Sequence, residues 1–418
     1  MGFLAIASIV IGSQVGVGIL FLPAALSAYG SIGLTGWIAS AGGAILLALI
    51  FAQLCTHIPK AGGPHVYVNE AFGRKAAFFV GWGYWLIAWT SNIAVAIAAV
   101  SYLTPVLGHM SSVHNLILEI TIIVVLTVVN IYGAALVGKV EFVLTVLKCL
   151  PLIIIPIGGI LFFNLDNFHP INAKNMPLPD IINQTALLTF WGFIGLESAT
   201  ANAGVVKDPR STIPKAVLLG TIMVASLYAL NCVGVIALVP QETLITSNAP
   251  YVDAAKKLFG NNIDTAAAII ISLACIGTLN AWILTSGQIA CGAAKDGLFP
   301  AFCSKTNKYG APYISLLISL VGTILLLCTT LSDNLIAQVN LVIDVSVTAF
   351  LFVYFACMMA FFKLFARKQP IYGFISLLGG GFCLWIICHS PMLNIIISAG
   401  LVFSGLPVYL WHNRKSKK

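Results

Sequence analysis

Three ionisable residues inside long apolar runs of this 418-residue chain are good functional candidates: Lys148 in VLTVLKCLPL, Glu197 in FWGFIGLESA and Asp344 in LVIDVSVTAF. A charge at the centre of a bilayer costs several kcal/mol, so such groups mark proton relays, gates or sites for a charged ligand. Lys148 could load and release a proton, because a buried ammonium loses its proton readily. It could also snorkel along its four-carbon stem to the nearer membrane face. Asp344, about ten residues and so roughly 15 Å into its run, could attract a cationic substrate or neutralise Lys148. Glu197 fits gating or proton-linked release, with an ion pair to a basic neighbour as the structural reading.

Two of these runs are interrupted. SQVGVGILFLP, Ser13 to Pro23, has paired glycines after a polar pair, and FWGFIGLESA, Phe190 to Ala199, has paired glycines before Glu197. Unwound backbone is tolerated at membrane depth only where it is buried in protein or lines a water-filled cavity. At Gly16, Val17 and Gly18 the chain is expected to leave helical geometry, with a second half-helix starting near Gly18 and its partly positive N-terminus facing a ligand. Close packing against a neighbouring helix is the other reading of such glycines.

The elements that must hold these groups follow from composition. Hydrophobic residues make up 59% of the chain and charged residues 8%, against roughly a quarter charged in soluble domains. Twelve apolar runs are long enough to cross a bilayer, at about 2–28, 33–56, 78–107, 116–137, 140–163, 182–206, 216–239, 263–294, 313–331, 335–362, 371–388 and 392–411. The first lacks a basic leader and is followed at once by another run, which predicts a retained helix and not a cleaved signal. Seventeen Lys and Arg fall in loops sharing the side of the termini and three in the opposite loops. Both termini are therefore expected in the cytoplasm.

The same counts remove other functions. The net charge of +8 is distributed by topology, which leaves no support for nucleic-acid binding. The ten cysteines form no CxxC, and no HExxH, GxxxxGK[ST] or GxSxG element occurs, so neither an enzyme nor a cofactor or metal is expected. A channel would need a continuous pore with symmetric rings of charge.

Interrupted runs one and six correspond if the chain is two repeats of five spans, and an odd count makes the repeats inverted. The expected fold is an all-α integral membrane protein of about twelve helices in one domain, 1–418. Residues 1–163 form the first repeat, 182–362 the second, and 371–411 two extra helices. Substrate would bind between helices one and six near the midplane.

GVGILFLPA at Gly16, AGGPHVYVNEAFG at Ala61, FWGFIGLESA at Phe190, VVKDPRSTIPKA at Val205 and KDGLFP at Lys295 together resemble the amino acid, polyamine and organocation transporter superfamily. Within it the chain is similar to the bacterial arginine/agmatine and putrescine/ornithine antiporters of the inner membrane. The likeness implies that a substrate carboxylate meets the first broken helix and its amino group meets carbonyls of the first and sixth. Val17 stands where those antiporters commonly have serine, so a hydroxyl contact is lost. Trp191 resembles the aromatic gate over the substrate, Trp282 the tryptophan packed on its stem, and Asn92 the asparagine at its cationic end. Val15, Ile194 and Ser346 are implied as further substrate contacts. Glu197 matches the antiporters' gating glutamate. Lys148 departs from the arginine/agmatine pattern and resembles the lysine that takes the place of sodium in some proton-coupled members.

The function so implied is secondary transport, with antiport of a cationic amino acid and an amine leading and proton-coupled symport of broader specificity as the alternative. The partners are a small-molecule substrate and the lipid bilayer, with protons and a second copy of the chain left open.

Overall fold

The fold is given by a computed structural model describing residues 3–416 apart from 61, 109, 133, 202–205, 207 and 330–334. Side chains at 4, 5, 8, 9, 17, 134–143, 145, 146, 201, 261, 335–338 and 413–416 also lie outside the described set. Val205 and Lys207 of the VVKDPRSTIPKA motif, and the side chain of Val17, fall among these.

The described residues form helices and no strand. The first run is divided into α1 (Phe3–Gln14) and α2 (Val17–Ser27), followed by α3 (Thr35–His57), α4 (Pro64–Ser101), a one-turn α5 (Thr104–Leu107), α6 (Ser112–Ile131) and α7 (Ala134–Leu161). The sixth run comprises α8 (Leu178–Phe190), a 3-10 turn at Trp191–Phe193 and the short α9 (Ser198–Ala201). Beyond it come α10 (Pro209–Leu238), the short α11 (Gln241–Thr246) and α12 (Pro250–Phe259), α13 (Asp264–Lys295), α14 (Tyr313–Thr329), α15 (Leu335–Phe365), α16 (Pro370–His389), α17 (Met392–Phe403) and α18 (Leu406–Ser416).

Eight helical stretches among the described residues are long and apolar enough to cross a membrane. The first and sixth runs fall short of that length because their breaks leave pieces of 12, 11 and 13 residues. Outward faces of α6 and α17 expose Ile117, Val125, Met392 and Leu393 at more than half their surface. Apolar exposure on that scale suits lipid, since it is a liability in water.

The interior is organised around α4, whose membrane stretch is entirely buried and packs on α13 and α15. Gly73, at φ 80°, splits α4 into a short leading segment and the span proper, a backbone state that favours glycine. Helix α8 is fixed on α3: Ser40 Oγ donates to the Ala186 carbonyl at 2.9 Å, and a Cβ at Gly36 would stand 2.7 Å from the Thr185 backbone.

Candidate functional site

The two breaks meet. Ser13 Oγ donates to the Gly195 carbonyl at 2.9 Å and shares a 2.7 Å hydrogen bond with Ser198 Oγ. Gly195 has φ +102°, and a Cβ there would stand 3.2 Å from three atoms of Ser13. Conformation and space both require glycine at that position.

At the first break the requirement differs from expectation. Helix α2 begins at Val17, one residue earlier than expected, and its N-cap Gly16 has φ −137°, ψ −156°, extended backbone open to any residue. Glycine is needed at 16 for room, because a Cβ would lie 2.9 Å from Thr278 Cγ2. Gly18 is likewise a matter of space, with Trp191 Cδ1 2.7 Å from where its Cβ would be. No side chain caps α2, so the first N–H groups of its N-terminus have no intrahelical partner and suit an anionic group.

Between the breaks lies a narrow cavity of about 30 Å³, lined by Gly16, Gly18, Trp191, Ile194 and Trp282 from the expected set. Sequence reasoning missed the rest of the lining: Ser13, Gln14, Ser91, Val95, Thr278 and Phe350. The polar pair Ser13–Gln14 before the glycines was the signal for the first two. Trp282 and Phe350 meet edge to face at 6.4 Å, giving an apolar wall opposite Trp191.

Val15, Asn92 and Ser346 do not line this cavity, although all three are buried. Asn92 lies beside it, flanked by the lining residues Ser91 and Val95, and its Oδ1 has no hydrogen-bond partner. Ser346 is one helical turn before the lining residue Phe350. Val15 contributes its backbone: Lys148 Nζ donates to the Val15 carbonyl at 3.0 Å, and Lys148 is 4% exposed. Snorkelling to the cytoplasmic face does not describe such a side chain.

Glu197 is fully buried behind the cavity. Tyr84 Oη donates to its Oε1 at 2.9 Å and Tyr354 Oη to its Oε2 at 2.5 Å. Among the described residues no basic side chain pairs with it. The Tyr354 hydroxyl also accepts from the Gly195 amide at 3.4 Å, linking carboxylate and break. Neither tyrosine was singled out from sequence, because each sits in an ordinary apolar context.

Asp344 is not brought to Lys148. Helix α7 packs on α10 and α13, whereas α15 packs on α4 and α16. Asp344 Oδ1 has no hydrogen-bond partner. Its charge reaches Tyr29, just beyond α2, whose phenol is pushed up first by burial and then by Asp344. A fourth intramembrane ionisable residue, Glu119 in α6, is 2% exposed with an unpartnered Oε1. The rule that flagged the other three applies to it equally.

A family model described as amino acid permease matches residues 1–411. The chain belongs to the amino acid permease family. This permease is 33% identical over 346 residues to the cadaverine/lysine antiporter of Escherichia coli (strain K12), covering 80% of this chain and 76% of that one. It is 27% identical to the putrescine transporter PotE of the same organism, over 98% and 95% of the two chains. A protein of Bacillus subtilis (strain 168), whose name assigns arginine/ornithine antiport provisionally, is 27% identical over 100% of this chain and 98% of its own.

Proposed function

We infer that this permease is a secondary antiporter that exchanges a cationic amino acid for an amine across the inner membrane by alternating access, with no covalent intermediate. The observation that carries the reading is the meeting of two broken helices at a cavity walled by Trp191 and Trp282. The substrate's carboxylate would face the uncapped start of α2, and its apolar stem would lie between the indoles, where cation-π attraction adds about 0.5–2 kcal/mol. Relatives named as a cadaverine/lysine antiporter and a putrescine transporter support that chemistry. Twelve spans in a five-plus-five inverted repeat, with both termini cytoplasmic, would place the cavity near the midplane.

The Lys148 hydrogen bond to Val15 favours a second reading, proton-coupled uptake, because loss of its proton would alter the charge beside the first break. Counterflow in proteoliposomes with labelled arginine, ornithine, lysine, agmatine, putrescine, cadaverine and neutral amino acids separates the two. Exchange requires a trans substrate. Symport proceeds without one when an inward proton gradient is imposed.

A further inference from the structure

The first break offers fewer main-chain acceptors than its unwound geometry suggests. The Val15 carbonyl already accepts from Lys148 Nζ at 3.0 Å, and the Gln14 carbonyl accepts from Tyr228 Oη. What the break does present is the Gln14 side chain. It lines the cavity and is 3% exposed, and its Oε1 has no hydrogen-bond partner. The amide's orientation is set by Nε2, which donates to the Val10 carbonyl at 3.3 Å. Turning the amide over would place two oxygens against each other.

Three lining hydroxyls agree in sign with Gln14 Oε1, whereas the N–H donors of the lining belong to the start of α2 and the two indoles. The hydroxyls of Ser13, Ser91 and Thr278 direct their protons to the main-chain carbonyls of Gly195, Ile87 and Ala274. Their oxygens remain able to accept and do not donate into the cavity. No lining residue is charged. A buried acceptor left empty is costly, and a group that satisfies it gains that cost back on binding. We propose that Gln14 Oε1 is a substrate contact that accepts a hydrogen bond from a primary ammonium group, making Gln14 a determinant of amine specificity at the first break. This deepens the antiport reading and rests on it, since it takes the cavity as the place where substrate binds.

A primary ammonium has three N–H donors and a quaternary ammonium of equal charge has none, so N-methylation separates the hydrogen bond from charge and from stacking on tryptophan. The experiment measures binding of 1,4-diaminobutane, ornithine and their terminally N-trimethylated analogues to the full-length protein in lipid nanodiscs. The native protein is expected to prefer the primary amines. Gln14→Leu should weaken them by about tenfold to a hundredfold, the range for a hydrogen bond to a charged group, and should lose the preference. Gln14→Glu, which keeps an acceptor, should retain it. If Gln14→Leu does not fold, the equally long and apolar Gln14→Met carries the same comparison. Native affinity and native preference in the apolar variant, with binding lost in Trp282→Leu, would return Gln14 to a structural role and leave the antiport reading standing. No binding of any amine by the native protein would remove that reading and this one together.

Discussion

Lys148 Nζ lies 3.0 Å from the carbonyl oxygen of Val15, so an amine buried in α7 is tied to the turn between α1 and α2. Unwinding a helix frees carbonyls that must find donors inside the membrane. Here the donors are the Lys148 amine and, one residue earlier, the Tyr228 hydroxyl. The break is therefore held by side chains from two other helices, and a change at either one reaches the cavity through Gln14 and Val15.

Gly18 and Trp191 are in contact across the two breaks, with no room for a Cβ at 18. Gly18→Leu is expected to displace the indole and block the start of α2, abolishing substrate binding while the protein still inserts and folds. Isothermal titration of the purified variant checks this, and native affinity would remove the ligand-facing role of α2.

The glycines at 16 and 195 should fail for different reasons. Gly16→Ala meets only Thr278 Cγ2, so adding Thr278→Ser, which removes that methyl, is expected to restore exchange. Gly195→Ala forces a side chain to φ +102°, a strain of about 1–3 kcal/mol, and no substitution at Ser13 should recover it. Thermal unfolding in detergent, read beside transport, distinguishes the pair.

Much of this was legible in the sequence because the membrane penalises exceptions. The interruptions at Gly16 and Gly195 and the charges at Lys148 and Glu197 stood out against apolar surroundings, and the structure brings both breaks together. The partners were not legible: Tyr84, Tyr354 and Tyr228 are amphipathic residues whose hydroxyls gain meaning only when packing delivers them to a carboxylate or carbonyl. Composition cannot tell a glycine needed for space, as at 16 and 18, from one needed for conformation, as at 195. Glu119 was overlooked although its context, LILEITII, broke the same rule.

The Glu197 carboxylate depends on two phenols, and Tyr354→Phe would leave Oε2 without its 2.5 Å donor. An unpaired buried acceptor costs about 1–3 kcal/mol, so the variant is expected to unfold at lower temperature and to exchange more slowly. Glu197→Gln removes the titrating group itself. Exchange in that variant should vary much less with pH than in the native protein, measured with the same pH on both sides of the vesicle. An unchanged pH profile would assign the dependence to another group, with Asp344 and Glu119 the next to substitute.

Substitutions at Lys148 test whether uptake driven by protons runs through this residue. Its hydrogen bond holds the break whether or not it titrates, because both the charged and the neutral amine can donate to the Val15 carbonyl. Lys148→Ala therefore removes a structural tie and a titratable group at once, whereas Lys148→Arg keeps a donor and stays protonated at every working pH. If protons are carried through Lys148, Lys148→Arg should lose accumulation driven by an inward proton gradient and keep exchange within a few-fold of native, and Lys148→Ala should lose that accumulation and part of its exchange as well. If the ammonium only ties the break, the native protein should show no gradient-driven accumulation, and Lys148→Arg should match it in exchange. Vesicles preloaded with substrate or buffer, assayed with and without the gradient, give all four rates. Gradient-driven uptake that survives in Lys148→Arg would take the proton path away from this residue.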